Sequence, residues 1–369
     1  MKKVGLLALV ILSFARVSGT AEDYSKMSVD ELNLKLRNAV EWGSFDETQR
    51  LIQVQRLIQA GADVNQKITK VETLGRDFDY NVYYTLFEWV AKKGYVSIVK
   101  ELMRVNAKDC NIDKALILAA EEGHTNVVKE LIQLNAKNVN GALHLAARGG
   151  HIDVTKELIN AKANVNDSNE NGNTALIESA KNGHTNVVKE LINAKANVNH
   201  TNKDGNTALI ESAKNGRTNV VKELINAKAN GNHTNKDGNT ALILAAKMGH
   251  TNVIKELINA KANVNHTNKE SNTALIVAIP NHNIDAVQIL LKAPEININY
   301  ANNNGDTALI IAIRWIESTY INGRKDQYNA CMNSQNIVKM LLETPGINPH
   351  HANKKGDTAI KLLKEKGAF

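Results

Sequence analysis

Apolar and polar positions alternate along this chain in a fixed sequence of patterns, stated most clearly between Gly172 and Asp237. Ala175, Leu176, Ser179 and Ala180 give a small apolar face to a short helix, since residues three and four apart share one side. Gly183 breaks that helix, and Thr185 stands where a cap for the next one is expected. Val187, Val188, Leu191 and Ile192 then form the stripe of a second, amphipathic helix. The Asn- and Gly-rich stretch 197–206 predicts a turning finger. Residues 172–204 and 205–237 are the same unit of about 33 residues written twice. They differ only where His184 becomes Arg217 and Val198 becomes Gly231. A period of this length predicts stacked units, each burying its apolar face against its neighbours.

The same unit, with variations, is legible along most of the chain. Ser28, Val29, Asp30 and Glu31 read as a capping box opening a first helix that Leu36, Ala39 and Val40 continue and Gly43 ends. Residues 49–53 recur as 55–59, which predicts a second helix longer by about six residues. Residues 60–65 open a finger that runs on to Tyr83 and carries Phe78, Tyr80 and Tyr83. Further units open at Tyr84-Thr85-Leu86, at Lys114-Ala115-Leu116 and at Gly141-Ala142-Leu143-His144, the last after a clipped finger. Regular starts follow at Thr174, Thr207, Thr240, Thr273 and Thr307, and a terminal half-unit at Thr358. An insertion of about 17 residues falls between the two helices of the unit that starts at Thr307, within residues 314–335. It carries Trp315, Tyr320 and Tyr328.

This unit resembles the ankyrin repeat, whose signature T-P-L-H-x-A appears here as Thr174-Ala175-Leu176-Ile177. Asn182-Gly183-His184 matches the family's turn, and Ala194-Lys195-Ala196-Asn197-Val198-Asn199 its finger opening. The resemblance implies an all-α solenoid of helix-turn-helix units joined by β-hairpin-like fingers. Its repeats would lie at 29–65, 84–113, 114–140, 141–171, 172–204, 205–237, 238–270, 271–304 and 305–355, with a cap at 356–369. The chain departs from the family in three ways. The family's Pro is Ala at Ala175, Ala208 and Ala241, and its His survives only at His144, with Ile177, Ile210 and Ile243 elsewhere. The left-handed residue after the second helix is Gly61, Asn106 or Asn135 early on and Lys162, Lys195, Lys228 or Lys261 later, at about 1 kcal/mol each. The resemblance also implies that a partner lies along the concave face, which would include Leu145, Glu178, Glu211, Leu244 and Val277 with Lys203 and Lys236 on the fingers.

Residues 1–21 stand outside the period. Lys2 and Lys3 precede an apolar run over 4–14, and small residues follow to Ala21, which is the plan of a secretory signal peptide. Eleven residues of helix rise only about 16 Å, short of a bilayer core of about 30 Å. Export to the periplasm or beyond is therefore expected, with no stable membrane span after cleavage and with 22–28 as a short linker. Cleavage would remove three of the 45 basic residues and no acid. The remaining net charge of about +4, spread over a long surface, is not the footprint of a nucleic-acid binder. Lys-Glu dipeptides recurring from Lys100-Glu101 to Lys255-Glu256 read as a solvated helix face of mixed sign. Cys110 and Cys331 lie several repeats apart, so no mutual disulfide is expected.

Histidines recur in register at His124, His151, His184 and His250 and at His200, His233 and His266. Helical layers about 8–10 Å apart cannot bring two such rings within zinc-binding distance, so no metal is expected. No G-x-S-x-G, P-loop, H-E-x-x-H or C-x-x-C motif occurs, so neither enzymatic activity nor a cofactor is expected. Asn199, Asn232 and Asn265 open Asn-His-Thr triplets that read as one finger copied three times. No Phe, Trp or Tyr stands between Tyr95 and Tyr300. Phe78, Tyr80, Tyr83, Trp315, Tyr320 and Tyr328 are accordingly the candidate aromatic anchors for a partner. The reading is an exported, monomeric, non-catalytic scaffold for a protein partner. The likeness of exported arrays to those of intracellular bacteria places host proteins among the candidates. The alternative is a structural spacer without a specific partner.

Overall fold

The computed structural model describes residues 23–41, 46–73, 79–105, 110–318 and 325–365. The proposed signal peptide, Gly43, Phe78, Asn106 and Tyr320 lie outside the described residues. The chain divides into two compact units, Met1–Ala146 with Asp153–Ala163, and Ala147–Ile152 with Asn164–Phe369. Among the described residues all regular structure is helical apart from one two-stranded sheet and two isolated bridges.

In the first unit the capping box forms as its spacing predicts. The Ser28 N–H donates to the Glu31 carboxylate at 2.8 Å and the Glu31 N–H to Ser28 Oγ at 3.3 Å, opening α1 (Val29–Glu41). Helix α2 (Glu47–Gln59) has 13 residues against nine in a typical second helix, so the duplication lengthens it by less than expected. The long finger becomes a true antiparallel hairpin of β1 (Lys67–Thr73) and β2 (Asp79–Thr85), with Lys67 opposite Thr85 and Thr73 opposite Asp79. Thr85 then caps α3 (Leu86–Lys92) in a second capping box with Glu88. Helices α4 (Val96–Arg104), α5 (Ile112–Glu121) and α6 (Thr125–Gln133) follow. The clipped finger is held by Asp113, whose carboxylate accepts from the N–H groups of Lys137 and Asn138 ahead of α7 (Val139–Gly149). Helix α8 (Ile152–Asn160) comes next.

The second unit pairs short inner helices with nine-residue outer ones: α9 (Ala175–Asn182) with α10 (Thr185–Asn193), α11 (Ala208–Lys214) with α12 (Thr218–Asn226), and α13 (Ala241–Met248) with α14 (Thr251–Asn259). Then come α15 (Ala274–Ala278), α16 (Ile284–Leu291), α17 (Ala308–Ser318), α18 (Lys325–Leu342) and α19 (Ala359–Glu365). Thr174, Thr207, Thr240 and Thr273 cap the inner helices, each Oγ1 accepting an N–H three residues on at 3.3 Å. The outer helices are a correction. Thr185 is their first helical residue and His184 holds the cap position without a side-chain cap bond. The His184 ring is committed elsewhere, with Nε2 2.9 Å from the Arg148 carbonyl.

Leu176, Leu209, Leu242 and Leu275 on the inner helices and Val188, Val221, Ile254 and Val287 on the outer ones form a continuous buried core. The buried Ser179 and Ser212 hydroxyls donate to the Leu176 and Leu209 carbonyls at 3.0 Å, so neither hydroxyl goes unpaired. Asn135, Lys162, Lys195, Lys228 and Lys261 adopt positive φ, from 61° to 69°, at the positions read as left-handed. The insertion over 314–335 lengthens α17 to 11 and α18 to 18 residues rather than forming only a loop.

Candidate partner-binding site

Three sets of rung-to-rung bonds organise the surface. On the outer helices Lys100, Lys129, Lys189 and Lys222 each reach the glutamate of the next repeat, not their own neighbour in sequence. Lys100–Glu130 at 3.0 Å and Lys129–Glu157 at 3.2 Å form this ladder in the first unit. Lys189–Glu223 and Lys222–Glu256, both at 3.3 Å, form it in the second. At the turns, His124 and His250 Nε2 stand 2.9 and 3.0 Å from the Lys92 and Lys214 carbonyls of the preceding repeat. Arg217 makes the same reach with Nε, 3.2 Å from the Lys181 carbonyl.

The fingers carry the third set. The Oδ1 atoms of Asn199, Asn232 and Asn265 accept the N–H groups of Asn230, Asn263 and Asn297 at 2.7–2.8 Å. Those asparagines, which open the Asn-His-Thr triplets, thus stitch adjacent fingers together. Lys203 and Lys236 donate their backbone N–H groups to the carbonyls of Asn171 and Asp204, both at 3.0 Å. Among the described residues no group of three or more His, Cys, Asp or Glu is placed to hold a metal ion.

In the second unit, fingers and inner helices enclose a groove of about 460 Å³, lined by Asp237, Lys247, Lys269, Glu270, Val277 and Pro280, with others. It opens where α15 stops after five residues, short of Pro280, which has no N–H to continue the helix. In the preceding repeat α13 runs for eight. Backbone strain gathers around the same repeat. Ser271 and His282 adopt φ of 58° and 54° where the repeat before has Gly238 and Gly249, and Glu295 adopts 61°. Such departures cluster at functional sites. Burial pushes the His282 imidazole below its ordinary value. From within α17, Arg314 bridges Asp306 at 2.7 Å and Asp357 at 3.0 Å. Hydrogen bonds from Lys361 and Arg314 hold the Asp357 carboxyl below the usual carboxylate range.

The sequence-derived candidates fall in different settings. Glu178 is half-buried and accepts from Asn173 and Asn169 at 2.8 and 3.1 Å. Glu211 is buried with its carboxylate on Asn206 at 2.7 Å, and Leu244 is buried as well. Leu145 and Val277 are half-buried, and of the two only Val277 lines the groove. Tyr83 is exposed, and Tyr80 stands opposite Glu72 in the hairpin. Trp315 lies edge-on to His282. Tyr328 lies in α18, and Phe78 and Tyr320 fall outside the described residues. Pro280, Lys247 and Glu270 were missed. Pro280 had a visible signal, since it is one of only four prolines and stands where the three preceding repeats have Lys181, Lys214 and Lys247.

With helix pairs, fingers and rung-to-rung bonds in place, the family comparison decides the matter. The family model described as "Ankyrin repeats (3 copies)" matches residues 47–141, 86–169, 143–235, 177–268, 212–301 and 253–353. The chain belongs to the ankyrin-repeat family. Ankyrin repeats generally mediate protein–protein interaction, and the family is typically a non-enzymatic interaction scaffold. Comparison with curated proteins gives no match. Among the described residues no helix of this ankyrin array is long and apolar enough to cross a membrane.

Proposed function

We propose that this ankyrin protein is an exported, non-catalytic scaffold that holds a protein partner in the groove of its 238–355 segment. The observation that carries the reading is the groove itself. It combines both charge signs, at Asp237, Glu270, Lys247 and Lys269, with apolar wall at Val277 and Pro280. That mixture suits a polypeptide better than a uniform polyanion or a lipid surface. The signal-like residues 1–21 support export, and a host protein is one candidate class of partner on the likeness stated above.

The test is affinity capture from host and bacterial lysates with wild-type bait and with Val277→Trp, which fills the groove. A protein retained by the wild type alone supports the reading. Equal retention, with both baits folded by circular dichroism, overturns it. Intact mass of the exported form tests the leader: a chain beginning at Glu22 is expected, and one that keeps residues 1–21 counts against export.

One observation favours the spacer instead. The ladders pass unchanged through two nearly identical repeats, which is what a rod needs. Failure of both baits to retain any specific protein would favour that second reading.

A further inference from the structure

In the second unit the ladder on the outer helices stops after Lys222–Glu256. Lys189 reaches Glu223 and Lys222 reaches Glu256. The next bond would join Lys255 to the residue in register with Glu256 on α16. His250 and Asn283 hold the same cap position on α14 and α16, so that residue is Ile289 and the one in register with Lys255 is Gln288. Lys255 is exposed, and no carboxylate among the described residues lies within ion-pair distance of it. The position occupied by Asn193, Asn226 and Asn259 in the three preceding repeats becomes Lys292 here, again without an ion pair among the described residues.

Where the bond is missing, the surface stays open. A cleft of about 560 Å³ lies between α14 and α16, lined by Lys255, Ile258, Ile289, Lys292, Ala293 and Pro294 with two further polar residues. Ile258 and Ile289 are half-buried and Ala293 is buried, so the floor is apolar while cations stand at Lys255 and Lys292. The cleft shares no lining residue with the inner groove.

We propose that this cleft is a second binding site, on the outer face, for a protein segment presenting a carboxylate beside apolar side chains. The carboxylate takes the place that Glu256 and Glu223 fill one and two rungs earlier, and the apolar side chains cover Ile258 and Ile289. Charge alone would admit any anion. The apolar floor selects among them, because a phosphate, a sulfated polymer or a nucleic-acid backbone would leave it in water. A membrane surface is disfavoured because two lysines supply too little attraction and no large apolar face surrounds them.

The site is independent of the inner groove, and one substitution separates the two. Ile289→Glu restores the in-register glutamate and closes the cleft with the chain's own ion pair. The probe is a fluorescein-labelled amphipathic helical peptide with Glu and Leu on one face, read by fluorescence anisotropy on the full chain at low salt. Two control peptides carry Gln for Glu or Ser for Leu. Saturable binding to the wild type is expected, weakened about tenfold or more by Ile289→Glu, by Lys255→Glu and by either control peptide, and unchanged by Val277→Trp. Thermal melts of Ile289→Glu should match or exceed the wild type, so loss of binding would not reflect loss of fold. Equal binding by Ile289→Glu, equal binding of the Gln peptide, or no saturable binding would each overturn the proposal. Competition by a sulfated polymer as strong as by the peptide would reduce the cleft to an anion site. Loss of binding in Val277→Trp alone would move the peptide to the inner groove.

Discussion

Trp315 meets His282 edge-on, with ring centroids 5.7 Å apart and ring planes at 90°. The contact joins the turn of the 271–304 repeat to the inner helix of the next, and Ser334 Oγ stands 3.3 Å from His282 Nδ1. An aromatic picked out as an anchor for a partner thus also holds two of the chain's own repeats together. Edge-to-face pairs contribute about 0.5–1.5 kcal/mol beyond the area they bury. Trp315→Ala is expected to lower stability by about 2 kcal/mol and Trp315→Phe by about half of that, in guanidinium unfolding. An unchanged midpoint for the alanine variant would return Trp315 to the partner-facing set.

His282 makes that junction sensitive to pH. Its folded-state value is lowered by burial, while the unfolded chain titrates near 6.5. As pH falls below about 6.5 the unfolded chain takes up the proton first, so stability declines until pH passes the lowered folded value. Above about 6.5 the stability is fully present. His282→Gly relieves the positive φ but gives up the Trp315 and Ser334 contacts, so the readout is the pH dependence, and the variant should lose less stability than the wild type between pH 7 and pH 5. Parallel pH profiles for the two proteins would refute the assignment.

Lys195 and Lys228 adopt φ of 67° and 64° directly after their outer helices. A left-handed side-chain residue costs about 1–2 kcal/mol, and glycine returns about half of that gain through its own chain entropy. Lys195→Gly and Lys228→Gly should therefore each stabilise the array by about 0.5–1 kcal/mol, with additive shifts in the denaturant midpoint.

Two kinds of rung-to-rung bond should differ in weight. The Lys222–Glu256 pair is half exposed at the lysine, so Lys222→Ala is expected to cost under about 0.5 kcal/mol, and less in high salt. Asn199 Oδ1 accepts the Asn230 N–H at 2.8 Å, and Asn199→Ala leaves that donor without its partner. Both residues are exposed, so a loss of about 0.5–1 kcal/mol is expected there. Hydrogen exchange at the Asn230 amide gives the local readout, and unchanged protection would argue that water replaces the side chain at no cost.

Much of this was legible in residue order because a repeat announces its own helices. The capping box at Ser28 and Glu31, the break at Gly183 and the left-handed lysines all depend on neighbours a few residues away. One reading fails: Thr185 looks like a cap because Thr caps helices, yet His184, whose ring bonds to another repeat, occupies that position. The Lys-Glu dipeptides do form a solvated face of mixed sign, but adjacent residues on a helix do not face each other, so their partners one rung away are invisible in residue order.

Periodicity determined the helix-turn-helix unit and the buried columns such as Leu176, Leu209 and Leu242, and the signature residues around Thr174 and Gly183 pointed to the family. Stacking decided the rest: which lysine meets which glutamate, and where the ladder ends against Ile289. It also decided that a helix cut short before Pro280 opens a groove. Every repeat presents the same residues in the same column, so sequence order cannot say which copies touch. Only the distance between rungs selects the pairs, and only there does one altered residue leave a gap.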